Sequence, residues 1–220
     1  DKKKAHRYLE IGVASGSNFF PIKAKQKVAV DPKFNFSKIK KMKWSIKNTC
    51  NIAAKYYEIN SDRFFESNKK IYNPDVVFID GLHTYAQSLI DVNNSLKILE
   101  EDGVIIMHDC NPPHEAAAHP ANSVNHAASL NLPGWTGVWC GDVWKTICHL
   151  RSIRNDLLVF VLDCDYGLGI ITKGEPENDL NLSEEEIHRM EYGEFAINKA
   201  KYLNLKDDKY LFEFLKRFDS

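Results

Sequence analysis

The chain has 220 residues, of which 44% are hydrophobic and 27% are charged, and these are the proportions of an ordinary globular domain. Its formal net charge is −1, so no overall basic field favours nucleic acid or an anionic membrane as a partner. No apolar run approaches the ~20 residues that span a bilayer, and no signal peptide is visible. Five cysteines without a C-x-x-C spacing favour reduced thiols, so we expect a cytoplasmic, intracellular protein.

Apolar runs and helical periods alternate along the chain, which predicts alternating strands and helices. The clearest helix covers Tyr85–Leu99, because its apolar residues recur every three or four positions and a Glu-Asp-Gly turn ends it. A second helix is predicted at Asp142–Arg154. Only five residues join the last two strands, too few for a helical crossover, so this pair is expected to be antiparallel. The predicted strands are Tyr8–Val13, Lys27–Asp31, Lys55–Ile59, Asp75–Asp80, Val104–Asp109, Leu157–Leu162 and Leu168–Thr172.

This alternation predicts an α/β fold, a doubly wound, Rossmann-like sheet of seven strands with a reversed last strand. We expect it to occupy residues 1–172, with residues 173–220 as a helical C-terminal extension packed on the same domain. Ser183 followed by three glutamates is typical of a helix start. The extension could cover a sheet edge, form a lid or make an oligomer contact. Because the first strand follows the start of the chain almost at once, the sequence could be a piece of a longer multidomain polypeptide.

A glycine-containing turn follows the first predicted strand. It has the pattern Glu10-x-Gly12-x-x-x-Gly16, and the next predicted strand ends at Asp31. Glycines at such a turn let the backbone approach a ligand, and an acid at the tip of the next strand accepts hydrogen bonds from ribose hydroxyls. A dinucleotide site requires a third glycine, which is missing, and Glu10 favours a cationic ligand over an anionic pyrophosphate. Alternatively, the turn needs glycine only for a positive φ.

The motif resembles the E/D-x-G-x-x-x-G motif of class I methyltransferases that use S-adenosylmethionine (SAM), whose sulfonium and ammonium groups are cationic. The resemblance implies that the loop after the third strand passes the adenine ring, where Ser61 and Asp62 would contact its amino group or only cap the next helix. Asp80 is a further candidate, since as an alternative to binding a metal it could cap the following turn and contact the methionine part of the cofactor. The candidate cofactor residues are Glu10, Gly12, Ser15, Gly16, Asn18, Asp31, Ser61, Asp62 and Asp80.

Three predicted strands end in polar side chains, at the edge of the sheet where open α/β proteins bind ligands. Besides Asp31, these are Asp80 after the fourth strand and His108-Asp109 after the fifth. Asp80, His108 and Asp109 together would offer oxygen and imidazole ligands to a divalent cation such as Mg²⁺ or Mn²⁺. Such an ion lowers the pKa of a substrate hydroxyl and holds it near the methyl donor. Without a metal, Asp80 could cap the following turn and His108 could fix Asp109.

These strand ends resemble those of metal-dependent O-methyltransferases that act on catechols and macrolide sugars. In those enzymes an acid ends the fourth strand and an acid pair or Asp-Asn ends the fifth, whereas here His108 replaces one carboxylate. His83 stands where catechol-type enzymes carry a catalytic lysine, and a histidine suits a base because its pKa lies near neutrality. The resemblance implies Asp80, His83 and Asp109 as catalytic residues; His83 could otherwise bond only to backbone. Residues 79–85 and 103–109 also resemble glycan-modifying methyltransferases.

The segment 111–141 is predicted to be a long irregular loop, which inside a compact domain is usually functional. Its aromatic and polar residues suit a sugar, whose C–H face stacks on indole and whose hydroxyls need polar partners. The candidate substrate contacts are His114, Trp135, Trp139 and Asp142, of which Asp142 could instead be the N-cap of the next helix.

The function these patterns favour is SAM-dependent O-methylation of a sugar hydroxyl in a glycan or glycosylated product. Three alternatives stay open: a small phenolic acceptor, a NAD-dependent oxidoreductase or sugar-nucleotide binder of the same fold, and a non-catalytic SAM-binding module. The missing third glycine argues against NAD, and the polar strand ends argue against a module without activity. We expect no nucleic-acid partner and no membrane span, while an oligomer is compatible with the sequence.

Overall fold

The computed structural model of the chain describes residues 5–67 and 73–218, which form eight strands and nine α-helices. The strands are β1 Arg7–Ile11, β2 Gln26–Val30, β3 Lys55–Tyr57, β4 Val76–Ile79, β5 Val104–Met107, β6 Leu157–Leu162, β7 Leu168–Lys173 and β8 Leu205–Lys206. The helices are α1 Lys38–Lys47, α2 Ser61–Ser67, α3 Tyr85–Ile98, α4 Glu115–Ala118, α5 Val124–Ser129, α6 Trp144–Ile153, α7 Glu184–Arg189, α8 Tyr192–Tyr202 and α9 Tyr210–Leu215.

All the strands belong to a single mixed sheet in the order β3-β2-β1-β4-β5-β7-β6-β8. Strands β1 to β5 pair in parallel, and β7 runs antiparallel to both of its neighbours. The predicted α/β sheet with a reversed seventh strand is therefore confirmed, and each predicted strand is found to within two residues at each end. The eighth strand was not predicted, because two residues are too few to show a period; it pairs with the outer edge of β6.

The sheet is buried on both faces, as the continuous apolar character of its strands requires. Leu9 and Ile11 of β1 face one hydrophobic cluster, which also contains residues of α3 and α6, whereas Tyr8 faces a second cluster built around Phe19 and Phe20. Because successive side chains of a strand point to opposite faces, this alternation fixes the direction of every β1 side chain.

Helix α3 is found where the periodicity predicts it, and α6 is two residues shorter at its start than predicted. The segment 111–141 is not wholly irregular, because it contains the short helices α4 and α5. These two helices are too short for a hydrophobic periodicity, and each begins at a capping side chain. His114 Nδ1 accepts from Ala117 N at 3.1 Å, and Ser123 Oγ accepts from His126 N at 3.1 Å. Helix α1 was also not predicted, since none of its residues is buried.

Residues after β7 pack on the sheet domain. The Ser183–Glu186 capping box starts α7, as the sequence predicts. In α8, the ring of Phe195 stacks on Trp144 of α6 with centroids 4.2 Å apart, and Arg151 Nη1 donates to the carbonyl of Tyr202 at 2.8 Å. The tail thus covers α6 and the β6 edge; the proposed domain limits at residues 1 and 220 lie outside the described ranges.

Within the described ranges, no helix is both long enough and apolar enough to cross a membrane. The five cysteines are free thiols, and Cys110, Cys140 and Cys148 are buried.

Candidate active site

A cavity of about 800 Å³ opens beside the carboxyl ends of β1, β2, β4 and β5. This is the edge at which open α/β sheets bind their ligands. Nine of the residues singled out from the sequence line it: Gly12, Asp31, Ser61, Asp62, Asp80, His83, His108, Asp109 and Trp139.

The turn after β1 requires glycine at its first position. Gly12 has a φ of +83°, and a Cβ placed there would lie 1.8 Å from the carbonyl oxygen of Asp80. Its N–H donates to the carbonyl of Val30 at 2.9 Å. The turn therefore touches the ends of both neighbouring strands, β2 and β4, and any side chain at this position would separate them.

Asp31 joins the tip of β2 to the glycine-containing turn. One carboxylate oxygen accepts from Ala14 N at 2.8 Å and the other from Lys33 N at 2.7 Å. Its side chain is nearly buried, with 7% of the residue exposed. Each carboxylate oxygen retains a second lone pair, so Asp31 can accept further hydrogen bonds from a ligand in the cavity.

A polar network on α3 forms the wall beside α2. The Gln87 amide donates to Ser61 Oγ at 3.3 Å and to the carboxylates of Asp62 and Asp91, each at 3.1 Å. Asp91 is 1% exposed, and burial raises its pKa to about 6. The predicted alternative that Ser61 or Asp62 caps α2 is wrong, because the Asn60 side chain accepts from Arg63 N at 3.0 Å.

Gln87 and Asp91 are not among the predicted site residues, although the sequence contains a signal for them. The two residues are four positions apart in the predicted helix Tyr85–Leu99 and so lie on one face. Polar residues at that spacing, beside an otherwise apolar stripe, are consistent with a helix face that meets a ligand cavity.

His83 lies between two carboxylates at the cavity wall. Its Nε2 is 3.2 Å from Asp80 Oδ1, and its Nδ1 is 3.2 Å from Asp109 Oδ2 and 3.0 Å from the carbonyl of Trp139. Both ring nitrogens therefore face oxygen acceptors, which favours the doubly protonated imidazolium. Burial opposes that charge, but the Asp80 hydrogen bond and the Asp109 charge outweigh it and raise the pKa of His83.

The position of His83 depends on close packing around it. Gly141 has a φ of +62°, and a Cβ there would lie 1.8 Å from the carbonyl oxygen of His83. The indole of Trp139 stacks on the imidazole with ring centroids 4.9 Å apart and an interplanar angle of 24°. Both contacts come from the segment before α6, so this segment holds the histidine against the strand ends.

His108 is the second imidazole beside the same carboxylates. Its Nδ1 lies 3.3 Å from Asp109 Oδ2 and 3.6 Å from Asp80 Oδ1. Its Nε2 lies 3.3 Å from a carboxylate oxygen of Asp165, in the turn between β6 and β7. Burial disfavours the imidazolium, but the ion pairs with Asp109 and Asp80 prevail and raise the pKa of His108 to about 11.

These side chains have the composition of a cation site. Ligand atoms of Asp80, His83 and Asp109 lie within 4.8 Å of one another, and Asp109 is buried; this group contains His83 in place of the predicted ligand His108. Two carboxylates and one imidazole are a donor set that suits Mg²⁺ or Mn²⁺. Burial raises the pKa of Asp80, but hydrogen bonds from His108 and His83 prevail and hold it well below its usual range. The carboxylate is therefore in the ionised form that a cation requires.

Several predicted site residues lie outside the cavity wall. Ser15 is half-buried and Asn18 is exposed in the turn after β1, where a Cβ on Gly16 would touch Phe20. Among the predicted substrate contacts, His114 caps α4, and its Nε2 lies 2.8 Å from Thr136 Oγ1. The remaining residues outside the wall are Glu10, Trp135 and Asp142.

Asp142 performs a capping role, but for another helix than expected. Its Oδ1 accepts from Tyr85 N at 2.6 Å, at the start of α3, whereas α6 starts without a side-chain cap. Trp139, by contrast, reaches the cavity. Tyr166 also lines it, from the left-handed turn between β6 and β7, and the sequence offered no signal for this residue.

Glu10 is buried on the sheet face that carries Tyr8, away from Leu9 and Ile11. It is 1% exposed, and its carboxylate accepts from Tyr8 Oη at 2.5 Å. Burial raises the pKa of Glu10 to about 7, although the Tyr8 hydrogen bond and the nearby Lys27 ammonium oppose this. The ammonium of Lys27 is itself buried and donates to the carbonyl of Ile22 and to Asn51 Oδ1.

The raised pKa of Glu10 predicts a pH-dependent cost to stability. A folded-state pKa near 7 against 4.5 in the unfolded chain means that the folded protein binds the proton more tightly, so stability falls as pH rises from 4.5 to 7. The free energy of unfolding of the Glu10→Gln variant, relative to that of wild type, should therefore rise by about 2 kcal/mol from pH 5 to pH 8. Urea unfolding at both pH values measures this difference, with Glu66→Gln, an exposed acid on α2, as control. An equal stability difference between variant and wild type at the two pH values would contradict the prediction.

Comparison with known proteins supports the predicted fold. Residues 9–110 match the family model described as a methyltransferase domain. No curated protein sequence matches the chain.

Solved structures resemble most of the chain, at low sequence identity. A candidate O-methyltransferase from Klebsiella pneumoniae has a TM-score of 0.54 and 14% identity over 78% of this chain and 74% of its own. The O-methyltransferase TomG from Streptomyces achromogenes, involved in tomaymycin synthesis and solved with SAM, has a TM-score of 0.51 and 12% identity over 78% and 74%. The Podospora anserina methyltransferase PaMTH1, solved with S-adenosylhomocysteine (SAH), has a TM-score of 0.51 and 16% identity over 79% and 74%.

At these identities the structural likeness concerns the fold. Together with the family match it confirms the resemblance stated from the sequence: residues 9–110 are similar to a methyltransferase domain, and the chain has the fold of these O-methyltransferase structures.

Proposed function

We propose that the chain is a SAM-dependent O-methyltransferase that acts on a hydroxyl of a sugar acceptor, in a glycan or a glycosylated product. The observation that carries the proposal is the convergence of Asp80, His83 and Asp109 in the wall of a cavity that Gly12 and Asp31 also line. One group of residues thus suits a nucleoside-bearing cofactor, and an adjacent group suits a hydroxyl that must lose a proton.

The cavity residues fit SAM. Asp31 retains acceptor capacity for ribose hydroxyls, and the Ser61–Asp62–Gln87 network offers polar groups to an adenine ring. When bound, SAM supplies an electrophilic methyl group on its sulfonium. Transfer then depends on holding the acceptor oxygen in line with that methyl group, so positioning by the cavity wall is the main contribution of the protein. The SAM and SAH in the structures of TomG and PaMTH1 support this choice of cofactor.

The two carboxylates beside His83 suit it to accept the acceptor proton. Above the raised pKa of His83 the ring is neutral and can take a proton, and Asp80 and Asp109 then fix the ring and stabilise the imidazolium that forms. A divalent cation also fits Asp80, His83 and Asp109, and would lower the pKa of the acceptor hydroxyl. In that arrangement His83 would be a ligand and not the proton acceptor.

A sugar acceptor is supported by the mixture of groups near the cluster. Trp139 and Tyr166 present aromatic surface in the cavity wall, while the carboxylates of Asp80 and Asp109 can accept from hydroxyls. The test is a panel of glycosides and catechols with SAM, in which SAH release and product mass are measured. Methylated glycosides support the proposal; transfer to catechols alone would favour the phenolic alternative.

Cofactor binding is tested separately. SAH should bind with a micromolar-order Kd, on the order of −8 kcal/mol, and NAD should not bind. Replacing Asp31 by alanine should weaken SAH binding roughly 10- to 100-fold, because ribose hydroxyls lose a charged acceptor. Calorimetry measures both affinities, and thermal unfolding without ligand shows whether the turn survives the loss of the Ala14 and Lys33 hydrogen bonds. Binding of NAD without SAH would rule out the proposed cofactor.

Chelation tests the cation. EDTA should suppress methyl transfer, and Mg²⁺ or Mn²⁺ should restore it, because the three ligand atoms would then hold the hydroxyl-activating ion. SAH affinity should persist in EDTA, since Asp31 and the α3 network need no metal. Full activity after exhaustive chelation would leave His83 as the proton acceptor without a metal.

A further inference from the structure

Helix α1 presents an apolar stripe to solvent. Ile39, Met42 and Ile46 are 61%, 60% and 77% exposed, and their spacing of three and four residues places them on one side of the helix. The other side packs against the domain, where Trp44 stacks on Phe20 with ring centroids 5.9 Å apart. Three large apolar side chains on one helix face thus have no covering layer among the residues that the structure describes.

The segment of the chain that carries this stripe has charges of a single sign, and the next acid along the chain, Glu58, lines a surface pocket with Lys38 and Lys41. Between Asp31 and Glu58 the chain has no acidic residue, although its net charge is only −1. At about 100° per residue, Lys43 and Lys47 border one side of the stripe and Lys38 borders the other. The lysines of this stretch are Lys33, Lys38, Lys40, Lys41, Lys43, Lys47 and Lys55.

Two lysines of α1 are already engaged within the fold. Lys40 Nζ donates to the carbonyl of Ser15 at 2.8 Å, and the Lys41 ammonium lies 3.6 Å from the ring centroid of Tyr56. Lys38, Lys43 and Lys47, which flank the stripe, are exposed, and the Lys47 ammonium also lies 5.4 Å from the ring centroid of Trp44 in the same helix. The helix therefore separates its cations into two that hold it on the domain and three that accompany the apolar face.

We propose that α1 docks on an anionic phospholipid membrane, with Ile39, Met42 and Ile46 at the boundary between headgroups and acyl chains. The three flanking lysines then meet lipid phosphates and carboxylates. Apolar residues in a stripe bordered by cations are the arrangement of interfacial helices. A second copy of the chain fits less well, because a ten-residue helix is about 15 Å long and covers far less than the roughly 800 Å² per partner of a stable interface.

Vesicle co-sedimentation tests this proposal without reference to methyl transfer. The whole chain is mixed with vesicles of phosphatidylcholine alone, or of three parts phosphatidylcholine to one part phosphatidylserine. Binding to the anionic vesicles only, and its loss in high salt, is the expected result. An absence of binding to both, or equal binding to both, would overturn the proposal.

Two sets of substitutions separate the apolar and charged contributions. The triple variant Ile39→Ser, Met42→Ser, Ile46→Ser should lose vesicle binding. Lys43→Gln with Lys47→Gln should lower the partition coefficient roughly 30-fold, since each lysine near an anionic surface contributes about fivefold. These side chains are exposed, so circular dichroism should show an unchanged fold.

Matched controls come from the opposite end of the chain. Ile197 is 86% exposed on α8, and Lys201 is exposed on the same helix. Ile197→Ser with Lys201→Gln should leave vesicle binding unchanged; an equal loss in this control would overturn the assignment to α1. Gel filtration of the wild type and the triple serine variant tests for a dimer. If the wild type is a dimer that does not bind vesicles, and the triple variant is a monomer, the stripe is an interface between copies of the chain and the membrane proposal is wrong.

Discussion

Replacing His83 by alanine is expected to lower kcat for methyl transfer by roughly 10²-fold or more, which is the usual scale for the loss of a general base. The imidazole lies 3.2 Å from both Asp80 and Asp109, and without it the two carboxylates would face each other with no cation between them. SAH affinity should stay near the wild-type value, because the side chains proposed for ribose and adenine are on β2, α2 and α3. SAH release and calorimetry measure these two quantities.

The same variant separates the two proposed roles of His83. If the imidazole accepts the proton, the loss in kcat should be the same at every Mg²⁺ concentration. The pH–rate profile should also lose the inflection that the titration of His83 produces in the wild type. If it is a ligand, the variant should need more Mg²⁺ for half-maximal activity and should partly recover in excess metal. His6→Ala, an exposed histidine before β1, is the control. A variant with near-normal kcat and an unaltered pH profile would make His83 structural.

Replacing Gly12 by alanine is expected to abolish most cofactor binding and to destabilise the fold by about 2–5 kcal/mol. The new Cβ would lie 1.8 Å from the Asp80 carbonyl oxygen, which is a backbone atom at the tip of the adjacent core strand and cannot turn away as a side chain could. Relief of the clash must move β1 away from β4, which displaces Asp80 from the cavity wall and the turn from Asp31. We expect SAH affinity to fall at least roughly 10²-fold, or about 3 kcal/mol.

Gly134→Ala is a matched control for this substitution. Gly134 has a φ of +76°, close to the +83° of Gly12, but no atom lies within 4 Å of a Cβ added there. It therefore carries only the cost of a left-handed backbone, about 1–2 kcal/mol. The difference in unfolding midpoint and SAH affinity between the two variants isolates the steric contact with Asp80. Equal effects in both variants would show that the close approach of β1 and β4 is not required.

The strand ends illustrate what could be predicted from the chain alone. Asp31, Asp80 and Asp109 each follow a short apolar run, and parallel strands bring their carboxyl ends to one edge whatever their order. The grouping of these acids in one cavity therefore needed no knowledge of side-chain packing. The C-terminal helix start at Ser183 was predictable for a similar reason, since a capping box is a local hydrogen-bond pattern.

Other features depended on packing between distant segments. The motif acid Glu10 faces Tyr8 and Lys27 on the far side of the sheet, because its neighbours Leu9 and Ile11 occupy the side that adjoins α3 and α6. Asp142 caps α3 and not its own helix, since chain reversal brings it to Tyr85 N. Neither contact has a signature at short range.

The sequence by itself determined the α/β sheet, its reversed seventh strand, the glycine turn and the acids at the strand tips, because these follow from period, turn chemistry and parallel pairing. Only the tertiary structure decided that His83 lies between Asp80 and Asp109 while His108 also reaches Asp165. These distances are set by Trp139 and Gly141, which lie more than fifty residues from His83 along the chain and fix the ring by stacking and close backbone contact.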